Sequence, residues 1–250
     1  MLIDGHRTDM PPTVKSVSWL TPAWIDEPEL LDMGEGSTED VQMNLAEMWR
    51  INRYLGGVHA ITRHLYPRLR AHAGVATLVD LGTGSADMPV SIARWARREH
   101  IRIRILAVDL AARHLTVAAH RIHSEADINL LQADAARLPL APKSIDYLMS
   151  SLFLHHFKPE QVVELLRNTF ACARHGIVMS DLVRGWLPLI GFKLGQAILA
   201  RNYLTRHDGA LSIRRAYTPS ELQELARAAG LTNFRVYEHW PWRMTLVADK

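Results

Sequence analysis

One stretch limits the fold of this chain more than any other: Thr77-Leu78-Val79-Asp80-Leu81-Gly82-Thr83-Gly84-Ser85-Ala86-Asp87. A short apolar run ends in an acid, passes through a small-residue turn and opens a helical pattern near Pro89. Such a run reads as a buried parallel strand feeding a tight turn and a helix. Gly82 and Gly84 withdraw side chains where a ligand could approach the backbone. The helix that follows would present its N-terminal N–H groups to that ligand. A dinucleotide fingerprint, G-x-G-x-x-G, would need glycine at the sixth position of the turn. Asp87 stands there instead. Its carboxylate would repel a pyrophosphate and suit a ligand carrying an ammonium group.

From residue 75 onward, apolar runs alternate with helical patterns, which predicts a parallel sheet with right-handed crossovers. Strands are expected at 76–81, 101–110, 129–133, 145–151 and 176–182, with helices at 89–98, after Leu110 to about His123, and 159–174. Thr218-Pro219-Ser220-Glu221 opens a further helix that stops at Gly230. Residues 233–239 and 243–248 read as a closing strand pair. Upstream, 1–40 is a Pro- and Gly-rich arm with short helices expected near 22–33. Residues 41–70 carry helical spacing broken at Gly56-Gly57. Asn52-Arg53-Tyr54, just before that break, is either a polar helix end or part of a helical cover over a ligand pocket. The expected division is an arm and cover at 1–70 and one α/β domain at 71–250. Within it, 183–217 is an inserted lid with one apolar helix.

Composition narrows the class. A 48% hydrophobic fraction supports a sizeable core, and a net charge of +3 is far from the dense basic surface of a nucleic-acid binder. The single cysteine, Cys172, rules out an internal disulfide and a Cys-rich zinc site. No signal-peptide pattern opens the chain, so a cytoplasmic location is expected. The apolar stretch 186–200 is interrupted by Lys193 and is shorter than the roughly 20 residues a spanning helix needs. Stable membrane insertion is therefore not expected.

Three acids close strands: Asp80, Asp109 and Asp134. In open α/β sheets, ligands bind beyond those strand ends. An acid at Asp109 can accept both hydroxyls of a ribose, and one at Asp134 can accept from an adenine amino group. Val79-Asp80-Leu81-Gly82-Thr83-Gly84, Ala107-Val108-Asp109-Leu110, Ala133-Asp134-Ala135-Ala136-Arg137-Leu138-Pro139 and the run from Ser144 to Phe157 resemble motifs I to IV of class I S-adenosylmethionine (SAM) methyltransferases. The third motif is similar to the ubiquinone/menaquinone-methyltransferase-like group. The resemblance spans roughly 41–250. It implies a Rossmann-like seven-stranded, mostly parallel sheet with an antiparallel last strand and helices on both faces. It also implies SAM as cofactor, held by Asp80, Gly82, Thr83, Gly84, Asp87, Asp109, Leu110, Asp134, Ala135 and Ser151.

The chain departs from that pattern in places. Ala86 replaces a usual glycine. After Ser150-Ser151 the Asn/Asp-Pro-Pro-aromatic signature of nucleobase and glutamine methylation is missing, which argues against a nucleic-acid partner. A metal-dependent catechol methyltransferase would need further acids and Asn where His155-His156 stands, so no metal is expected. Phe153, Trp186, Phe192, Tyr203, Trp240 and Trp242 converge on the sheet edge with three histidines. That composition suits a small aromatic or lipid-like acceptor. The expected reaction is O-methylation of a phenolic or quinol-type hydroxyl, with His155, His156 or His207 as base. A phenol titrates near 10, so an imidazole can take its proton at neutral pH. Arg206-His207-Asp208-Gly209 reads as loop. C- or N-methylation, an NAD(P)-dependent oxidoreductase and an inactive SAM-fold binding protein are the rivals; a homodimer is compatible with the sequence.

Overall fold

The two-sided apolar run at 75–81 belongs at the centre of a sheet, and the computed structural model, which describes residues 21–250, puts it there. β1 (Val75–Leu81) lies between β2 (Arg102–Asp109) and β4 (Ile145–Ser151), parallel to both. β3 (Ile128–Gln132) extends the sheet beyond β2, and β5 (Ala173–Leu182) extends it beyond β4. β7 (Arg243–Asp249) is inserted antiparallel between β5 and β6 (Phe234–His239). The order is β3-β2-β1-β4-β5-β7-β6, so the expected seven-stranded, mostly parallel sheet is present. Its order reverses between β1 and β4, the place where such sheets open a crevice at their carboxyl ends.

Eight helices surround the sheet among the described residues: α1 (Thr38–Tyr54), α2 (Gly57–Ala71), α3 (Asp87–Arg98), α4 (Ala112–Ile122), α5 (Pro159–Cys172), α6 (Trp186–Leu199), α7 (Tyr203–Arg215) and α8 (Pro219–Ala228). On one face Ile61, Leu65 and Leu69 of α2 and Ile92 and Trp95 of α3 pack against Leu78, Ile105 and Val178. On the other, Leu165 and Leu166 of α5 and Leu222 and Leu225 of α8 pack against Val79, Leu148 and Ile177. Sequence signals fix several helix starts. Ser37 and Asp40 form a capping box at α1, and Thr218 and Glu221 form another at α8.

Three expectations need correction. First, α2 is part of the sheet's core, because its apolar stripe is completely buried. Only α1 is left as a cover. Second, 22–33 forms no helix; a turn follows at residues 30–34. The N–H groups of Leu30 and Leu31 donate to the Asp208 carboxylate instead of to a helical turn. The arm's residues 1–20 lie outside the described residues. Third, the insertion 183–217 holds two helices, and Arg206-His207-Asp208-Gly209 sits inside α7. Asn202 caps that helix, and its buried face is mostly polar, with Thr205, Asp208, Ser212 and Arg215. This conceals its period from a hydrophobic pattern.

At the amino-terminal edge of the sheet, Asp146 ties three strands. Its Oδ2 accepts from the Thr77 N–H at 2.8 Å and the Thr77 hydroxyl at 2.7 Å, and its Oδ1 accepts from Arg174 at 3.2 Å. Burial opposes its ionisation, but the Thr77 and Arg174 donors outweigh it and hold the carboxyl below its ordinary range. A depressed carboxyl stabilises the fold above its unfolded pKa, and that stabilisation is lost as pH falls through the folded value. Asp146→Ala should therefore cost about 2–4 kcal/mol in urea unfolding at pH 7, since the Thr77 N–H is left unpaired. The gap between variant and wild type should shrink as the pH is lowered from about 5 towards 3. A gap that stays constant with pH contradicts this assignment.

Candidate active site

At the carboxyl ends of the parallel strands lies a cleft of about 740 Å³. Its base is the turn after β1. Here the Thr83 N–H donates to Val108 O at 2.9 Å, and the Thr83 hydroxyl donates to Asp80 at 2.7 Å. Gly82 adopts φ +67°, and a Cβ there would sit 2.2 Å from Cδ2 of Phe153. The ring thus lies directly on the bare backbone of the turn. Ala86 is also left-handed, at φ 57°. This explains why glycine usually stands there: a side chain in that region costs about 1–2 kcal/mol.

Asp109 organises the next wall. Its Oδ2 accepts from the Gly84 N–H at 2.8 Å and its Oδ1 from the Ala111 N–H at 2.9 Å. Nδ1 of His114 lies 3.2 Å from the same Oδ1. A carboxylate has about four lone-pair sites, so acceptor capacity remains for a ligand. Asp80 borders the cleft from below. Burial pushes its carboxyl up to about 7; the Thr83 hydroxyl opposes this, and the nearby Asp109 charge adds to it. A cation arriving in the cleft would favour its ionised form.

Of the residues expected to hold a cofactor, all ten border this cleft: Asp80, Gly82, Thr83, Gly84 and Asp87 from the first turn, Asp109 and Leu110 from the second, and Asp134, Ala135 and Ser151 from the third and fourth strand ends. Two roles change. Asp87 does not wait for an ammonium group: Arg121 of α4 forms an ion pair with it, and the Ser85 hydroxyl donates to it at 2.6 Å. Asp134 uses Oδ1 to accept from the Ala136 N–H at 2.9 Å, capping the 3-10 turn Ala135–Arg137.

The three candidate histidines separate. His156 borders the cleft, and its Nδ1 lies 2.9 Å from Oδ2 of Asp32. His155 points the other way and is only 1% exposed. Its Nδ1 is 2.7 Å from Asp181, and its Nε2 is 3.5 Å from Glu29. Burial disfavours its charged form, but the two carboxylates outweigh burial and hold it well above the ordinary histidine range. A histidine that keeps its proton at neutral pH is no general base, so His155 is corrected to a structural cation. His207 lies on the exposed side of α7, with Nδ1 2.8 Å from Asp208, and does not border the cleft. It too is corrected.

A strap across the cleft, residues 29–36, escaped sequence reasoning. Asp208 binds its Leu30 and Leu31 N–H groups at 2.9 and 3.1 Å. Arg113 donates to Glu35 O at 2.9 Å and also to Leu31 O. The Ser212 hydroxyl donates to Glu29 at 2.6 Å. Burial works against the Glu29 charge, yet His156 and His155 hold its carboxyl below the ordinary range. Opposite the strap, α1 lines the cleft with Leu45, Met48, Trp49 and Asn52, and Asn52 donates to the Ser151 hydroxyl at 3.1 Å. Polar residues at helical spacing, Asn44, Glu47 and the Thr205–Asp208–Ser212 series, were the available signal.

Among the described residues, two groups bring metal-binding atoms within 4.8 Å of one another: Glu29, His155 and His156 beside the cleft, and His72, Asp146 and His175 at the far edge of the sheet. In the first, Nδ1 of each histidine already faces a carboxylate, Asp181 or Asp32.

The placement of Phe153 on the turn gives a direct test. Gly82→Ala should lower the unfolding free energy by about 2–4 kcal/mol. Of that, about 1–2 comes from the left-handed backbone and the rest from displacing the ring. In a Phe153→Ala background only the backbone part should remain. Equal costs in both backgrounds, measured by denaturant unfolding, contradict the contact.

Residues 78–176 match the family model of a methyltransferase domain. A comparison of the sequence with curated proteins finds no match. Among solved structures the chain is similar to a SAM-dependent methyltransferase from Aquifex aeolicus, at TM-score 0.57 and 13% identity over 86% of this chain and 99% of that one. It is also similar to human N-acetylserotonin methyltransferase in complex with SAM, at TM-score 0.60 and 16% identity over 88% of this chain and 61% of that one. A third similarity is to the CMeT domain of the citrinin polyketide synthase, at TM-score 0.53 and 13% identity over 69% and 46%. The oxidoreductase expected as a rival has no support in these findings. Residues 78–176 thus match a methyltransferase domain, and the chain shares the Rossmann-like fold of these structures.

Proposed function

We propose that the chain transfers the methyl group of SAM to a phenolic or quinol-type hydroxyl on a small aromatic or lipid-like acceptor. The observation that carries this reading is the pair His156–Asp32 at the cleft wall, beside the aromatic rings of Phe153 and Phe157. The residues present fit the cofactor. The bare backbone at Gly84 admits it closely, Asp109 offers acceptors to its ribose, and Asp80 offers negative charge to its cationic end. When bound, SAM supplies a methyl group activated on a sulfonium.

The chain's own residues then have three tasks. Phe153, Phe157 and Leu31 provide an apolar wall that can hold a flat ring in line and keep water out. Asp32 orients the base. Burial works against its charge, but the hydrogen bond from His156, with the Arg215 guanidinium behind, holds its carboxyl below the ordinary range. An ionised Asp32 accepts from Nδ1–H of His156 and leaves Nε2 free to take the phenolic proton. As that proton leaves, the oxygen forms its bond to the methyl carbon and the carbon–sulfur bond breaks, so one positive charge passes from sulfur to the imidazole. The wider membership expected from the third motif, the ubiquinone/menaquinone-methyltransferase-like group, is part of this proposal. The acceptor atom in human N-acetylserotonin methyltransferase or in a CMeT domain says nothing of the atom methylated here.

Turnover of methyl-labelled SAM with a set of phenols of increasing alkyl-chain length tests the acceptor. His156→Ala should lower turnover about 10²–10⁴-fold with SAM affinity retained, and Asp32→Asn should lower it less. His155→Ala should act through stability. If His156→Ala lowers turnover by less than about tenfold, no base is needed, and methylation of carbon or nitrogen becomes the better reading.

A further inference from the structure

α6 carries a face that a water-soluble surface does not need. Leu187, Ile190, Leu194 and Ile198 follow one another at i, i+3, i+7 and i+11, so they share one side of the helix. That side points away from the fold: Leu194 is 79% and Ile198 81% exposed. The turn between β6 and β7 continues the patch with Trp240, 88% exposed, and Trp242. The ring of Trp242 lies against Gly191, where a Cβ would be 2.6 Å from it, so hairpin and helix form one surface. Contiguous exposed apolar surface of this kind marks an interaction site.

The charges around it select the partner. Between Asp181 and Asp208 the chain has no acidic residue, and Lys193, Arg201 and Arg206 are exposed. An apolar helix face with tryptophan beside it, on a segment whose own charges are all cationic, is the composition of a helix lying in a membrane interface. Spanning is excluded for α6. Its 14 residues reach roughly 21 Å, short of a hydrocarbon core about 30 Å thick. No helix among the described residues is long and apolar enough to cross a membrane. A second copy of the chain is a poorer occupant. A two-fold contact through this face would bring Lys193, Arg201 and Arg206 of both copies together, and the segment that carries them has no acid of its own to meet them.

We propose that the α6 face and the Trp240–Trp242 turn dock the protein on an anionic lipid surface. α6 follows β5 at the carboxyl edge of the sheet, the edge at which the cleft opens, and it packs on α1, which lines the cleft. Docking by this face puts the acceptor side of the cleft near the lipid. It thereby deepens the proposed function, on whose lipid-like acceptor it rests, while membrane binding itself needs no turnover to be measured.

The test is cosedimentation of the full chain with vesicles of equimolar phosphatidylglycerol and phosphatidylcholine, beside vesicles of phosphatidylcholine alone. The wild type should bind the anionic vesicles at least about tenfold more tightly, and added salt should weaken that binding. The double variant Leu194→Glu, Ile198→Glu should lose at least about tenfold in binding, with melting temperature and SAM affinity unchanged. Absence of wild-type binding overturns the proposal, as does equal binding by the variant. So does a wild-type dimer in sedimentation analysis that the variant dissociates, which gives the face to a second copy. A protein that binds vesicles yet methylates no phenol separates failure of the acceptor reading from failure of this one.

Discussion

Everything at the carboxyl edge depends on one carboxylate, that of Asp109. It accepts from Gly84 in the turn after β1 and from Ala111 at the start of α4, so two crossover connections are tied to the end of β2. Hydrogen bonds to a charged acceptor are about twice as strong as neutral ones. The Thr83 bonds to Val108 and Asp80 hold the first half of the turn, and Asp109 holds the second. The turn's residues are small, two of them are left-handed without strain and a third, Ala86, is left-handed at a cost. Placing the acid there therefore settles the path of the backbone that a cofactor must approach. It also leaves lone pairs directed at the same space.

A second, buried set of charges sets the opposite wall. Asp181 at the end of β5 holds His155, whose main-chain N–H donates to Asp181 as well, at 2.9 Å. Arg215 donates to the carbonyls of both His155 and His156, at 3.1 and 2.8 Å. Glu29 closes the group from the strap. Removing one member of such a buried set leaves another without a partner, which typically costs 3–5 kcal/mol. The consequence is functional: the charges that keep His155 protonated also fix the backbone of His156 and bring Asp32 to its side. Stability and chemistry at this wall are therefore not separable by altering His155.

Much of this was legible from local pattern. The parallel strands carry short apolar segments, and Asp80, Asp109 and Asp134, at or just past the ends of β1, β2 and β3, border the cleft. Period and position suffice to find such features. What failed to show were the elements held by polar contacts across the chain. α7 hides its inward face because Thr205, Asp208 and Ser212 do the packing that leucines would do elsewhere. The strap has no period at all, and its anchor Asp208 lies 178 residues from the Leu30 it binds. The adjacent pair His155-His156 was equally ambiguous: which imidazole turns inward is decided by Asp181 and Glu29, which no spacing links to it. α2 was misjudged for a different reason, because a helix that precedes the first strand looks separable until its stripe is seen against the sheet.

Calorimetric titration of SAM into the wild type, Asp109→Asn and Asp109→Ala tests the central claim most directly. Asn keeps an oxygen for the Gly84 N–H, so its fold and turn should persist while the charged acceptor for the ribose is lost. Asp109→Asn should bind SAM more weakly by about 1–3 kcal/mol, roughly 5- to 150-fold, with circular dichroism unchanged, and Asp109→Ala, which also loses the anchor of the Gly84 N–H, should bind at least as weakly. Affinity equal to that of the wild type in a folded Asp109→Ala protein would contradict the account.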